Sequence, residues 1–332
     1  MKTERFIKKK SIFNENSVPE FETLHIALCF DDGYAMPACV SAFSIIKNNP
    51  DINIVLHLFT LNVSKISLDR FKSLLANNLT IYNYEINHSF IDELTKDLNE
   101  SSDSYWYLNK NRLSSACLRF IISDILKTIT PKVLYMDCDT LCINSLSPLI
   151  SLDISKFHAA CIKDIAASEY RKLLFNNLDE TYFNSGVMLI NTEKWVSNKL
   201  TDKAIKLIID DNGKFIWPDQ DALNILMDGD IHYLPSKYNF MLQKDDHIPK
   251  DVIILHFAAN PKPWFKIRNN KTYIEYLSSS PCKNVKLKLY DKETSNRYVL
   301  KTYSEELRKE GKIIPSIFYY LMYKITKFFY KK

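Results

Sequence analysis

The chain has 332 residues, 46% of them hydrophobic and 25% charged, with a net charge of +5. That is globular composition, which excludes a disordered or fibrous chain and leaves room for one large α/β domain with an appendage, or for two domains. The charge is uneven: residues 266–332 carry 16 Lys+Arg against 6 Asp+Glu, a net +10, while the rest carries 28 against 33, a net −5.

An acidic body with a basic tail points to an anionic partner such as a membrane surface, a nucleic acid or an acidic glycan. The seven cysteines include no CxxC pair, which argues against a disulfide framework and for a reducing compartment. No apolar run reaches the ~18 residues of a transmembrane helix. With only five glycines there is no GxGxxG or GxxxxGK[ST] loop. A bound nucleotide would therefore be held by metal and side chains rather than by a glycine cradle.

Residues 1–21 read as a polar leader. Its basic start is followed by no apolar h-region, so no secretory signal is expected. Residues 24–30 read as a strand ended by Asp31-Asp32-Gly33, followed by a helix over residues 36–47. A strand over 54–59, a helix over 67–75 and a strand over 80–85 continue the order. This β-α-β-α-β alternation predicts a mostly parallel, doubly wound sheet flanked by helices. Residues 99–104 form a Ser- and Asn-rich loop. Residues 114–127 read as an amphipathic helix feeding an apolar strand that starts at Val133. Further strands are expected over 159–162, 187–191 and 252–256, with helices over 202–210 and 219–227.

The strand from Val133 ends in Asp137-Cys138-Asp139. In extended chain, positions i and i+2 point the same way, so both carboxylates can meet one divalent cation at the carboxyl end of the strand. The competing reading is a solvated strand end. Two other Asp-x-Asp runs differ in context. Asp219-Gln220-Asp221 follows Pro218 and opens a helix, where acids favour the helix dipole. Asp228-Gly229-Asp230 reads as a turn.

Three more segments carry polar groups in unusual company. Tyr182-Phe183-Asn184-Ser185-Gly186-Val187 places Asn, Ser and Gly just before a strand, which a turn also explains. Trp217-Pro218-Asp219-Gln220-Asp221 gathers acid and amide at a helix start, which capping also explains. His256-Phe257-Ala258-Ala259-Asn260-Pro261-Lys262-Pro263-Trp264 follows an apolar strand. There His256 can complete a metal site with the two carboxylates, and Lys262, stiffened between prolines, can meet a phosphate. In the tail, Tyr320, Lys324, Lys327 and Lys331 share one helical stripe, opposite Ile317, Leu321, Ile325, Phe328 and Phe329. This suits a helix lying in a membrane interface, against the alternative of a terminal helix docked on the protein's own core.

The motifs Asp31-Asp32-Gly33-Tyr34, Val133 to Asp139, Tyr182 to Val187, Pro218 to Asp221 and His256 to Trp264 occur in the order seen in family 8 retaining glycosyltransferases. The chain resembles that family from Leu24 to Trp264, and within it the bacterial lipopolysaccharide core glucosyl- and galactosyltransferases, which also end in a basic, aromatic tail. The resemblance implies a GT-A fold over residues 22–265, a C-terminal extension over 266–332, a UDP-glucose or UDP-galactose donor, and Mn²⁺ with Mg²⁺ as the alternative. It implies that Asp31 and Tyr34 line the uridine pocket and that Asp137, Asp139 and His256 ligate the metal. It further implies that Lys262 contacts the diphosphate, that Arg119 binds the donor, and that Asn184, Asp219 and Gln220 surround the transferred sugar. Cys138, Ser185 and Ala259 join the donor-binding set by the same match, and Asp164 falls where the family has an acceptor-side acid. Gly33 stands where the family often has Asn, and Ala259 where it has Gly.

The expected activity is thus metal-dependent transfer of glucose or galactose to a lipopolysaccharide-core or similar lipid-linked acceptor. The expected location is the cytoplasm, peripheral to the inner face of the membrane, with no nucleic-acid partner. The catalytic candidates are Asp219, orienting sugar hydroxyls, and Gln220, beside the anomeric carbon. An amide is a poor covalent nucleophile, so same-face attack is favoured over double displacement. The alternatives are a capsule or glycoprotein transferase, a self-glucosylating protein, or a nucleotide-sugar-binding protein without catalysis.

Overall fold

A computed structural model describes residues 5–95, 115–164, 167, 182–211, 215–242, 247–259, 261–268, 270–289 and 298–329. The loop expected over residues 99–104 lies outside them. The chain divides into two compact units, Met1–Phe240 with His247–His256, and Met241–Asp246 with Phe257–Lys332.

The first unit is built on an eight-stranded sheet. Its strands are β1 (Ile7–Glu15), β2 (Thr23–Asp31), β3 (Asn53–Leu61), β4 (Leu79–Ile86), β5 (Lys132–Met136), β7 (Ala159–Lys163), β8 (Phe183–Asn191) and β9 (Ile231–Tyr233), in the order β1-β4-β3-β2-β5-β8-β7-β9. The pairs β3–β4, β2–β3, β2–β5 and β7–β9 are parallel, whereas β1–β4, β5–β8 and β7–β8 are antiparallel. Helices α1 (Ala35–Lys47), α2 (Lys65–Lys72), α3 (His88–Thr95), α4 (Ile122–Leu126), α5 (Thr192–Ser197), α6 (Leu200–Asp211) and α7 (Pro218–Leu226) accompany it. A small second sheet has the order β10-β11-β6, where β6 is Thr140–Cys142, β10 is Phe240–Met241 and β11 is Ile254–His256.

The expected strands and helices of the first half fall where the sequence put them, within two or three residues. The parallel strands are rich in apolar residues because both faces are covered: Ile54, Leu56, Leu58 and Phe59 of β3 are all buried. All seven cysteines are free and buried.

Four local expectations need correction. The polar leader contains β1, whose residues are exposed or half-buried and which pairs antiparallel with β4 at the sheet edge. The expected amphipathic helix over 114–127 is broken: a 3₁₀ turn at Leu118–Ile121 precedes α4. Every residue from Cys117 to Ser123 is buried, so no solvent face remains, and Arg119 Nε takes the Ala116 carbonyl at 3.0 Å. Asn184, Ser185 and Gly186 lie inside β8 rather than before it. The β7–β8 register jumps from Cys161↔Met188 to Ile162↔Asn184, which makes these residues an irregularity within the strand. Cys138 and Asp139 occupy a turn, so the convergence of the two carboxylates does not rest on strand alternation. That turn is closed by the Thr140 hydroxyl, which donates to the Asp137 carbonyl at 2.7 Å.

In the second unit, α8 (Lys271–Ser279) supplies the buried Tyr273, which packs against Phe257 and Trp264 with ring centroids 5.6 and 5.8 Å apart. Helices α9 (Tyr298–Lys309) and α10 (Ile313–Phe329) form a hairpin. Gly311, at φ 75°, turns the chain; its N–H donates to Arg308 O and that of Lys312 to Leu307 O, which satisfies the last carbonyls of α9. Ser304 and Ser316 each donate a hydroxyl to the other's carbonyl at 2.7 Å where the helices touch.

A histidine pair crosses the first unit's sheet, with Nδ1 of the half-buried His25 2.9 Å from Nε2 of the buried His57. Burial lowers His25 from 6.5 to about 4 and pushes His57 well below its ordinary value. The unfolded chain therefore binds more protons, and stability is lost as pH falls through the unfolded value of 6.5 toward 4. The urea midpoint is expected to fall between about pH 7 and about pH 4.5, and less steeply in His57→Gln; parallel slopes would contradict this origin.

Candidate functional site

The site forms at the carboxyl end of the sheet, just past the end of β5, which runs parallel to β2. β5 runs into the turn holding Asp137 and Asp139. β11 then lies antiparallel on β6, with His256 opposite Thr140, and this pairing delivers the imidazole to the carboxylates. One ligand atom from each of Asp137, Asp139 and His256 lies within 4.8 Å of the others. His256 Nε2 is 3.3 Å from Asp139 Oδ1 and 3.9 Å from Asp137 Oδ2.

The two oxygens of Asp137 have separate tasks. Oδ1 receives Arg119 Nη2 at 3.0 Å and the Tyr135 hydroxyl at 2.5 Å. Oδ2 faces His256. Arg119 also bonds Asp219 Oδ2 at 3.0 Å and the Ser185 hydroxyl and carbonyl at 2.8 and 3.1 Å, and its guanidinium sits 4.7 Å from the Tyr135 ring centroid. Burial alone would favour losing the Arg119 proton, but Asp219, Tyr135 and Asp137 outweigh it and hold the group well above its ordinary value. Burial pushes the Tyr135 phenol well up, so it stays a donor.

Gly186 is required by this geometry. A β-carbon there would lie 2.4 Å from His256 Cε1 and 2.7 Å from Asp137 Oδ2. The Gly186 carbonyl accepts the Asp137 N–H at 2.7 Å, so β8 presses its backbone directly against the trio. Two carboxylates and an imidazole, converging at a position that only glycine leaves open, fit a divalent cation of the Mn²⁺ or Mg²⁺ kind better than a thiolate-seeking ion.

The sugar-side candidates also converge. Gln220 Oε1 accepts the Ser185 N–H at 2.9 Å, and its Nε2 donates to Asp164 Oδ2 at 3.3 Å. Asn184 Nδ2 donates to the same Asp164 oxygen at 3.2 Å. Asp219 and Asp221 lie in the first turn of α7, both buried, and Asp221 Oδ2 accepts the Trp217 N–H at 3.0 Å. The capping reading thus holds for Asp221, while Asp219 pairs with Arg119. Asp31 closes β2, its Oδ1 accepting the Tyr34 N–H at 3.2 Å and its Oδ2 the Ser115 hydroxyl at 2.9 Å. A β-carbon at Gly33 would meet Asp31 Oδ1 at 3.2 Å.

Three expected donor-binding residues have partners within the protein. The Cys138 thiol turns inward to the Cys29 carbonyl at 3.3 Å, and burial pushes it well up, so only its backbone is left for a ligand. Lys262 and Ala259 belong to the second unit. There Lys262 Nζ bonds the Phe257 and Ala258 carbonyls at 3.0 Å each, and the Ala259 carbonyl accepts from Arg268 Nη1. Asp228-Gly229-Asp230 is a turn, as expected, with Gly229 at φ 73°.

Tyr135 and Asn239 escaped the sequence reading. Tyr135 looked like one more apolar residue of β5. Asn239 follows a short turn at Ser236–Tyr238 and has no pattern to flag it, yet its Oδ1 lies 2.8 Å from His256 Nδ1.

Gly186→Ala is expected to weaken Mn²⁺ binding by at least tenfold and to cost about 1–3 kcal/mol of stability through overpacking. Mn²⁺ titration with thermal unfolding measures both; unchanged affinity in a folded variant would contradict the cradle.

The glycosyl transferase family 8 model matches residues 25–268. A lipopolysaccharide 1,2-glucosyltransferase of Escherichia coli is 27% identical, covering 93% of this chain and 92% of the relative. A lipopolysaccharide 1,3-galactosyltransferase of Salmonella typhimurium is 26% identical, covering 79% of each. The crystal structure of the galactosyltransferase LgtC with donor and acceptor sugar analogs superposes with a TM-score of 0.65 at 23% identity, over 77% of this chain and 96% of that one. The fold is therefore GT-A, and the chain is a retaining hexosyltransferase that belongs to glycosyltransferase family 8.

Proposed function

We propose that this enzyme transfers glucose or galactose from a UDP-sugar to the lipopolysaccharide core or a similar lipid-linked glycan at the cytoplasmic face of a membrane. The observation that carries the reading is the convergence of Asp137, Asp139 and His256 beside Arg119, Asp219 and Gln220. The lipopolysaccharide glucosyl- and galactosyltransferases among the relatives support the sugar and acceptor classes.

Asp137, Asp139 and His256 would hold Mn²⁺, or Mg²⁺ in its place. A divalent ion there supplies charge stabilisation for the departing diphosphate. Asp31 and Tyr34 would line the uridine pocket. Arg119 fixes Asp219 by direct ion pairing, so the carboxylate is oriented before substrate arrives. Gln220 is clamped at both ends of its amide, by Ser185 N–H and by Asp164. A clamped amide suits it to flank an oxocarbenium-like centre rather than to attack it. The acceptor oxygen would then bond to the anomeric carbon on the face from which the phosphate oxygen leaves. The acceptor's proton would pass to that oxygen.

The tail supports a membrane location. No helix among the described residues is long and apolar enough to cross a membrane. Yet α10 exposes Ile313, Ile314, Ile317, Phe318, Leu321 and Ile325, with Ile314 83% and Leu321 54% exposed, and among its described side chains buries only Ser316 and Tyr323. Lys324 and Lys327 are exposed on the same helix, and Lys324 sits over the Tyr320 ring. An apolar helix surface edged by lysines suits the interface of anionic lipid. The stripe residues Phe328, Phe329 and Lys331 have side chains outside the described set.

Hydrolysis of a UDP-sugar panel with Mn²⁺ tests the activity: turnover is expected with UDP-glucose or UDP-galactose, and failure with every donor would overturn the reading. Asp139→Asn is expected to lower that rate at least about a hundredfold, the effect of removing several kcal/mol of charge stabilisation. Phe318→Glu with Leu321→Glu should release the protein from anionic vesicles in a flotation assay while leaving hydrolysis intact. Retention on the vesicles would place the membrane contact elsewhere.

A further inference from the structure

His256 has two ring nitrogens, and only one faces the carboxylates. Its Nε2 points at Asp139 and Asp137, while Nδ1 lies 2.8 Å from Asn239 Oδ1. Both residues are almost fully buried, at 2% and 1% exposed, so each polar atom must find its match within the protein. Which nitrogen carries the proton then depends on which end of the Asn239 amide faces the ring.

That orientation can be deduced from groups whose roles are fixed. The Gly186 N–H can only donate, and it points at Asn184 Oδ1 from 3.0 Å. The Asp164 carboxylate accepts, and Asn184 Nδ2 reaches its Oδ2 at 3.2 Å. Both ends of Asn184 are therefore assigned, its oxygen an acceptor and its nitrogen a donor. The next amide follows. Asn239 meets Asn184 Oδ1 at 2.9 Å, so it must present its NH₂ there and its oxygen to His256. An oxygen facing Nδ1 requires Nδ1–H. Neutral His256 then bears its lone pair on Nε2, the atom aimed at the two carboxylates.

We propose that Asn239 is a positioning residue that fixes His256 in the Nδ1–H tautomer, with the polarity of the relay set by the Gly186 N–H and Asp164. The same relay ends near the catalytic amide, because Asp164 Oδ2 also accepts Gln220 Nε2. One chain of hydrogen bonds thus sets the orientation of a metal ligand and of the group flanking the sugar. The proposal rests on the metal-dependent reading above. It explains why a buried asparagine with no ligand role faces a histidine from behind.

Two measurements separate this inference from the reading beneath it. Ring ¹⁵N shifts of His256 in the metal-free protein, recorded for the neutral form of the ring, report the tautomer directly. The wild type is expected to show Nδ1 protonated and Nε2 bare, and Asn239→Leu to lose that preference. Asn239→Asp keeps an acceptor opposite Nδ1 while removing the donor to Asn184 Oδ1, and is expected to restore the tautomer although the link to Asn184 is lost. A bare Nδ1 in the wild type, or an unchanged tautomer in folded Asn239→Leu, would overturn the proposal whether or not metal binds. Mn²⁺ affinity by electron paramagnetic resonance is expected to fall about 10- to 100-fold in Asn239→Leu and to be regained in Asn239→Asp. Equal affinity in wild type and Asn239→Leu would also overturn it. Absence of Mn²⁺ binding to the wild type would sink the metal reading, while the tautomer would still decide the role of Asn239.

Discussion

Everything at this site depends on holding Asp137 and Asp139 close together without an unbalanced charge. Two carboxylates and an imidazole within 4.8 Å are mutually costly unless something positive stabilises them. Arg119 supplies part of that from behind, taking Asp137 Oδ1 and Asp219 and leaving Oδ2 toward His256. A divalent ion in front would supply the rest. The arginine is buried, always charged and forked, so it can brace two acids at fixed angles in a way a lysine cannot.

The backbone around the trio makes this arrangement rigid. β5 is held parallel to β2, β6 and β11 pair to bring in His256, and the irregularity in β8 sets Gly186 against His256 and Asp137. Each of these is a strand-to-strand constraint, with little freedom for a side chain to drift. The polar residues behind the site extend the same rigidity: Asn224 bonds both backbone groups of Phe183, which ties α7 to the strand carrying Asn184 and Ser185. Preorganisation of this kind favours positioning and charge stabilisation over large rearrangement of the binding groups.

The basic tail answers a different physical demand. A 17-residue helix is too short to span a bilayer with ease, yet α10 leaves most of its large apolar side chains in solvent. Its contact with α9 is made through small serines and a tyrosine pair, which leaves the bulky residues facing outward. On the proposed function, lipid would cover that surface and the acceptor would be met there.

The sequence by itself determined the alternation of strands and helices in the first half, the choice of the first Asp-x-Asp over its two rivals, and the family. These are local or ordered signals: apolar runs, breakers and motifs in fixed succession. It did not determine that residues 7–15 add an edge strand, because a lysine-rich strand with no buried residue looks like a leader. It put Asn184 to Gly186 before β8, since an interrupted ladder has no signature in residue type. Nor did it give Tyr135 and Asn239 any role. Only the tertiary structure decided those, because their tasks are defined by partners far away in the chain, and such contacts exist only once the sheet has formed and its register is set.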